Sequence, residues 1–153
     1  MSNEAMMQAF FDEYYVAPAD RPGQTPMDAR PRRCPFVDRA IDTLATTCLI
    51  AMLECLCSRE LQRHLKPDIE TAVATQMHCR HSAPIPLGSR LRMTGWIERL
   101  DEDNVTFRVK AQDEHEQVCD GQIQFAIMRR AEMDRLVSRK QDAIARREMF
   151  APA

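Results

Sequence analysis

Residues 90–112 read RLRMTGWIERLDEDNVTFRVKAQ. In the first half Leu91, Met93, Gly95 and Ile97 alternate with Arg90, Arg92, Thr94 and Trp96. In the second half Val105, Phe107, Val109 and Ala111 alternate with Thr106, Arg108, Lys110 and Gln112. Successive side chains of a strand point to opposite faces, so each run has one apolar and one polar side. That pattern marks an antiparallel sheet covered on one face and wet on the other. Asp101-Glu102-Asp103 is the polar turn between the two strands.

The same reading extends outward. Past the turn Asp113-Glu114-His115-Glu116, residues 117–128 carry Cys119, Ile123, Phe125 and Ile127 on one face. Upstream, residues 71–81, TAVATQMHCRH, set Val73, Thr75, Met77, Cys79 and His81 on one face. The turns join neighbouring strands into a meander. Residues 130–148 are helical and highly charged, with a thin apolar stripe of Met133, Leu136, Val137 and Ile144. Toward the N-terminus, residues 36–64 form the longest helical pattern, with Pro35 at its start and Pro67 just past its end. Between Cys48 and Cys57 only Glu54 is not apolar, which predicts a central helix covered nearly all round. Residues 18–35 contain five prolines and read as an ordered loop, and Arg30, Arg32 and Arg33 in it read first as solvated. Residues 10–18, FFDEYYVAP, read as a short strand or extended arm. The fold class is therefore α+β, and the order suggests a hotdog fold: a curved antiparallel sheet wrapped around the helix at about 36–64, with a C-terminal helix.

At 153 residues the chain is the size of one domain, 1–153, large enough to bury a core without staples. The net charge of −2 argues against a nucleic-acid partner. No apolar run approaches a membrane span, and the N-terminus has no basic region before an apolar one. Six cysteines fall in no CxxC pair, and three of them lie in the apolar helical segment. Reduced thiols, a cytoplasmic location, no membrane partner, no cofactor and no metal are expected. His78 and His81, three apart in a strand, face opposite sides and do not share an ion.

Three residues carry the candidate chemistry. Glu54 interrupts the apolar helix, where a carboxylate must find partners or become neutral. It is either a functional acid or a structural one paired with an arginine. His81 ends its strand on the apolar face, beside the rigid run Ser82-Ala83-Pro84-Ile85-Pro86-Leu87-Gly88. A histidine held at the mouth of a core serves as acid, base or orienting group, or simply as a satisfied core-edge side chain. Thr46 and Thr47 precede Glu54 by about two turns, and helix geometry alone slightly prefers Thr47.

The stretches Thr46-Thr47-Cys48-Leu49-Ile50-Ala51-Met52-Leu53-Glu54 and His81-Ser82-Ala83-Pro84-Ile85-Pro86-Leu87-Gly88 resemble the fluoroacetyl-coenzyme A thioesterase-like family of hotdog proteins. That family has a threonine eight residues before a helical glutamate and a later H-x-A-x-x-P-x-G element. The resemblance implies a homodimer that hydrolyses a short or medium acyl-coenzyme A thioester. It assigns catalysis to Thr46, Glu54 and His81, and the substrate side to Ala74, Pro84 and Gly88. Ala74 stands where family members carry glycine. The chain also departs from the family's G-x-H-x-R element in the last strand, where it has Gly121-Gln122-Ile123-Gln124-Phe125. The other open reading is a non-catalytic hotdog module that binds an acyl thioester or another apolar ligand.

Overall fold

The structure is a computed structural model and describes residues 6–17 and 43–149, with side chains through Arg146. The proline-rich loop at 18–35, its three arginines and residues 36–42 of the expected helix lie outside the described residues. The elements run β1 (Phe10–Val16), α1 (Thr46–Gln62), β2 (Glu70–His81), β3 (Arg90–Asp101), β4 (Asn104–Gln112), β5 (Gln117–Arg129) and α2 (Arg130–Met149). The five strands form one antiparallel sheet in the order β1-β3-β4-β5-β2.

The alternation in residues 90–112 is realised in full. Leu91, Met93 and Ile97 of β3 and Val105, Phe107, Val109 and Ala111 of β4 are buried, as are Ile123 and Phe125 of β5. Phe107 meets Phe125 edge-on at 6.1 Å between ring centres and lies 6.5 Å from Phe11, a geometry aromatic quadrupoles favour. Gly95 is required beneath Phe11, because a Cβ there would lie 2.3 Å from the ring.

Three expectations are corrected. The meander comprises only β3, β4 and β5; β2 crosses to the far edge and pairs with β5. Within β2 the register shifts between Ala74 and Gln76. One extra residue reverses the alternation, so Ala72 and Ala74 join Cys79 against the core while Val73 and Thr75 are exposed. The Thr75 hydroxyl donates across the strand to the Gln124 carbonyl at 3.3 Å. The helix expected over 36–64 is not helical at Thr43–Ala45, and α1 begins at Thr46, because the backbone just before it is committed elsewhere. Thr43 forms a bridge with Pro86, the Leu44 N–H donates to the Ile85 carbonyl at 2.8 Å, and Ala45 is extended.

In this chain α1 buries one face. Leu49, Leu53, Leu56, Cys57, Glu60 and Leu61 follow the spacing of a single helical stripe. Each fully buried leucine contributes roughly 1.5–3 kcal/mol. Ile50, Ala51 and Met52 are half-buried and Cys55 is exposed, so the helix is not covered all round by its own sheet. An ion pair from Arg59 to Glu13 ties its last turn to β1. On α2, Met133 and Leu136 are half-buried but Val137 and Ile144 are exposed, so only part of the thin stripe packs. No helix among the described residues is long and apolar enough to cross a membrane.

Candidate active site

The segment before α1 and the loop after β2 are held together by their own backbones. The Thr43–Pro86 bridge and the Leu44–Ile85 bond fasten the start of the helix to the loop at 82–89. On the other side of that loop, Gly88 donates to the Ala17 carbonyl at 3.0 Å and Ala17 donates to the Ser89 carbonyl at 2.7 Å. Gly88 has φ of +91°, a conformation only glycine adopts without strain. At the end of β2, Ser82 N–H donates to the Val118 carbonyl at 2.9 Å and its hydroxyl to the Gln117 carbonyl at 3.1 Å. His81 is thus fixed between β5 and the first turn of α1.

The consequence is a direct contact between two of the expected residues. Thr46 Oγ1 and His81 Nδ1 lie 2.8 Å apart, within hydrogen-bond range. The other ring nitrogen, Nε2, is buried and has no hydrogen-bond partner among the described residues. If the hydroxyl donates, Nε2 carries the proton; if the ring donates, Nε2 is the free base. Both tautomers leave one poised proton donor or acceptor in a low-dielectric spot. A buried polar atom left unpaired costs about 1–3 kcal/mol.

Thr46, not the Thr47 that helix geometry slightly prefers, makes this contact. Glu54 sits eight residues along α1, a rise of about 12 Å. It is half-buried, and among the described residues no hydrogen bond joins it to Thr46 or His81. Its charge is felt by its neighbours Cys55 and Cys57, whose thiols it helps push up. The buried carboxylate of α1 is instead Glu60, held by Arg63 at 2.7 Å and beside His64 at 3.6 Å. The i, i+3 and i+4 spacing of Glu60, Arg63 and His64 signals that structural cluster.

Ala74 is half-buried at the β2 bulge and paired with Phe125. Pro84 and Gly88 are exposed on the loop that follows His81. Gly121 makes a close approach possible: a Cβ there would lie 2.3 Å from the His78 carbonyl oxygen and 2.8 Å from Cys79 Sγ. His78 itself is exposed and lines a polar groove of about 390 Å³ with Gln76, Glu98, Arg99, Thr106, Gln122 and Gln124. That groove touches none of Thr46, Glu54 and His81, and it places His78 on the face opposite His81.

Residues 32–131 match the family model described as fluoroacetyl-CoA-specific thioesterase. Among solved structures, the fluoroacetyl-CoA thioesterase FlK is 22% identical, superposes with a TM-score of 0.71, and covers 88% of this chain and 96% of its own. A hot-dog-like protein from Thermanaerovibrio acidaminovorans is 16% identical, with a TM-score of 0.70 and coverage of 96% and 94%. A thioesterase superfamily member from Thermus thermophilus is 18% identical, with a TM-score of 0.68 and coverage of 90% and 92%. No curated protein sequence matches the chain. The shared architecture is the hotdog fold, as the order of elements suggested.

Proposed function

Since the chain belongs to the fluoroacetyl-CoA-specific thioesterase family, we propose that it hydrolyses a short or medium acyl-coenzyme A thioester. The observation that carries this reading is the 2.8 Å contact between Thr46 Oγ1 and His81 Nδ1, with Nε2 buried and unpaired. Hydrolysis adds water to the thioester carbonyl and breaks the C–S bond, and the departing sulfur needs a proton. His81 Nε2 supplies a group able to hold and return that proton, and Thr46 fixes the ring. Glu54 supplies the base for water or the nucleophile itself. Its separation from His81 within one chain is reconciled by a homodimer in which the site lies at or near the subunit boundary. Ala74, Pro84 and Gly88 border the substrate. Related support comes from FlK, which has been solved as a phenylalanine-to-alanine variant with fluoroacetate and CoA and as a threonine-to-serine variant with acetyl-CoA. On this reading residues 1–153 act as one hotdog domain in the cytoplasm, without metal or cofactor.

The test is release of free thiol from a panel of acyl-coenzyme A esters, comparing the native chain with Glu54→Gln. The variant keeps size and hydrogen bonding but loses the base or nucleophile. Turnover is expected to fall by about a hundredfold or more, with a much smaller change in KM. Full activity in the variant would remove Glu54 from the mechanism. The absence of His and Arg after Gly121 favours one alternative, a binding module for acyl thioesters. Measurable acyl-coenzyme A binding without hydrolysis of any ester would decide for that module.

A further inference from the structure

The outer face of the sheet, which hydrolysis does not use, carries two large rings in water. Phe10 of β1 and Trp96 of β3 stand opposite each other in register. Both point away from the core, since Phe11 and Ile97 beside them are buried. They are 56% and 36% exposed. Single exposed apolar side chains are ordinary. A pair lining a recess, with polar groups around it, has the make-up of a ligand site. Here the recess is a groove of about 320 Å³, and beside the two rings its walls include Asp12, Arg92, Lys110, Gln112 and Gln117.

The charges in this groove leave one cation over. Asp12 is engaged by Arg92, whose Nε and Nη2 donate to its two carboxylate oxygens at 2.8 and 2.6 Å. Lys110 stands opposite Asp120 in register. Asp120 nevertheless takes its ion pairs from Arg108 at 3.1 Å and Arg80 at 3.8 Å. Lys110 lies instead against Trp96, its ammonium 5.6 Å from the ring centre. That is near the ~6 Å limit of such an attraction, so the contact is loose and the ammonium can swing. No carboxylate among the described residues forms a salt bridge with it. Gln112 and Gln117 add amide donors and acceptors at the rim.

We propose that this groove binds a purine nucleoside monophosphate, at a site separate from Thr46 and His81. Phe10 and Trp96 offer flat faces on which a base stacks, and a purine presents the larger face. Lys110 takes the phosphate as a mobile point charge. The glutamine amides meet the base edge or the ribose hydroxyls. The three features together select the class. A sugar alone gives Lys110 no anion, and inorganic phosphate alone leaves both rings in water. The rings and the lysine lie on β1, β3 and β4, away from the β2 edge. Pairing of two chains through β2 therefore leaves the groove open.

Trp96 is the only tryptophan of the chain, so its fluorescence reports on the groove directly. Titration of the full chain with adenosine monophosphate, excited where adenine does not absorb, should quench Trp96 to saturation, and equilibrium dialysis should give the same Kd. Adenosine, without the phosphate, and ribose 5-phosphate, without the base, should each bind roughly tenfold more weakly or worse. Lys110→Gln should weaken adenosine monophosphate by roughly tenfold and leave adenosine unchanged. Phe10→Ala should weaken both. Thr46→Val, on the other side of the sheet, should bind the nucleotide as the native chain does. Absence of quenching and of retention in dialysis would overturn the proposal, and so would native affinity in Lys110→Gln. Loss of binding in Thr46→Val would put the nucleotide in the hydrolytic site instead. A single-stranded oligoadenylate bound far more tightly than the monophosphate would overturn the free nucleotide in favour of a nucleic-acid strand.

Discussion

Thr46 and His81 define each other. The hydroxyl pins Nδ1, which holds Nε2 toward the interior, where no partner among the described residues meets it. Thr46→Val keeps the shape and removes the bond. Its kcat is expected to fall by roughly tenfold, about the 1.4 kcal/mol of one hydrogen bond, with KM little changed; an unchanged kcat would leave Thr46 a merely structural residue. Cys79 gives an independent check of local electrostatics. Its alkylation by iodoacetamide should rise through a midpoint near pH 7, where its thiolate forms, whereas Cys55 should titrate above its ordinary 9.0. Coincident profiles for the two would show that Cys79 is not the more acidic thiol. His81 was legible from its strand position and the rigid loop after it. The choice between Thr46 and Thr47 was not, because it depends on where the helix starts, and that is set by pairing with residues 85 and 86, some forty positions away.

At the level of elements, hairpin chemistry and close strand approach make the sharpest demands. Glu102 occupies the turn between β3 and β4 with φ of +41°, a conformation that costs a side-chain-bearing residue roughly 1–2 kcal/mol. Glu102→Gly should therefore stabilise the chain by up to about 1 kcal/mol after glycine's own entropy cost, read as a higher urea midpoint at unchanged slope; a lower midpoint would mean that the carboxylate is needed there. Gly121→Ala runs the other way. Its Cβ would meet the His78 carbonyl at 2.3 Å, and backbone cannot yield as a side chain does. A loss of roughly 1–3 kcal/mol and faster amide exchange along β2 are expected; native stability in the variant would show that the strands are farther apart. The alternation that predicts β3, β4 and β5 is local, so one sequence suffices to read it. The bulge at Ala74–Gln76 and the placement of β2 beside β5 are settled by non-local pairing, which leaves no period in the sequence. The reading of α1 as a helix held over Thr46–Gln62, but its assumed full burial did not, since Glu60 and not Glu54 is the carboxylate its own sheet encloses.

On the scale of the whole molecule, the single chain leaves work unfinished. Among the described residues β1 and β2 are edge strands, each with a row of backbone groups that no neighbouring strand pairs, and native proteins cover, break or pair such edges. The β2 flank also exposes Val73 and Met77, and the neighbouring helix leaves Ile50, Ala51 and Met52 half-covered. Burying such apolar surface against a second copy is worth about 25 cal/mol for each Å² removed from water. A twofold contact of this kind is self-complementary, the commonest solution for a soluble homo-oligomer. It also offers Glu54 a route to His81 that one chain lacks, so assembly and activity should fail together. Sedimentation at micromolar concentration is expected to give a particle of twice 17.6 kDa. Met77→Glu, a charge introduced on the edge strand and away from Thr46, Glu54 and His81, should yield single chains with native circular dichroism and little hydrolysis. A single-chain particle in the native protein would contradict the dimer. Monomers of Met77→Glu that kept full turnover would show that one chain assembles the site alone, and Glu54 would then have to reach His81 by a movement of α1 within it.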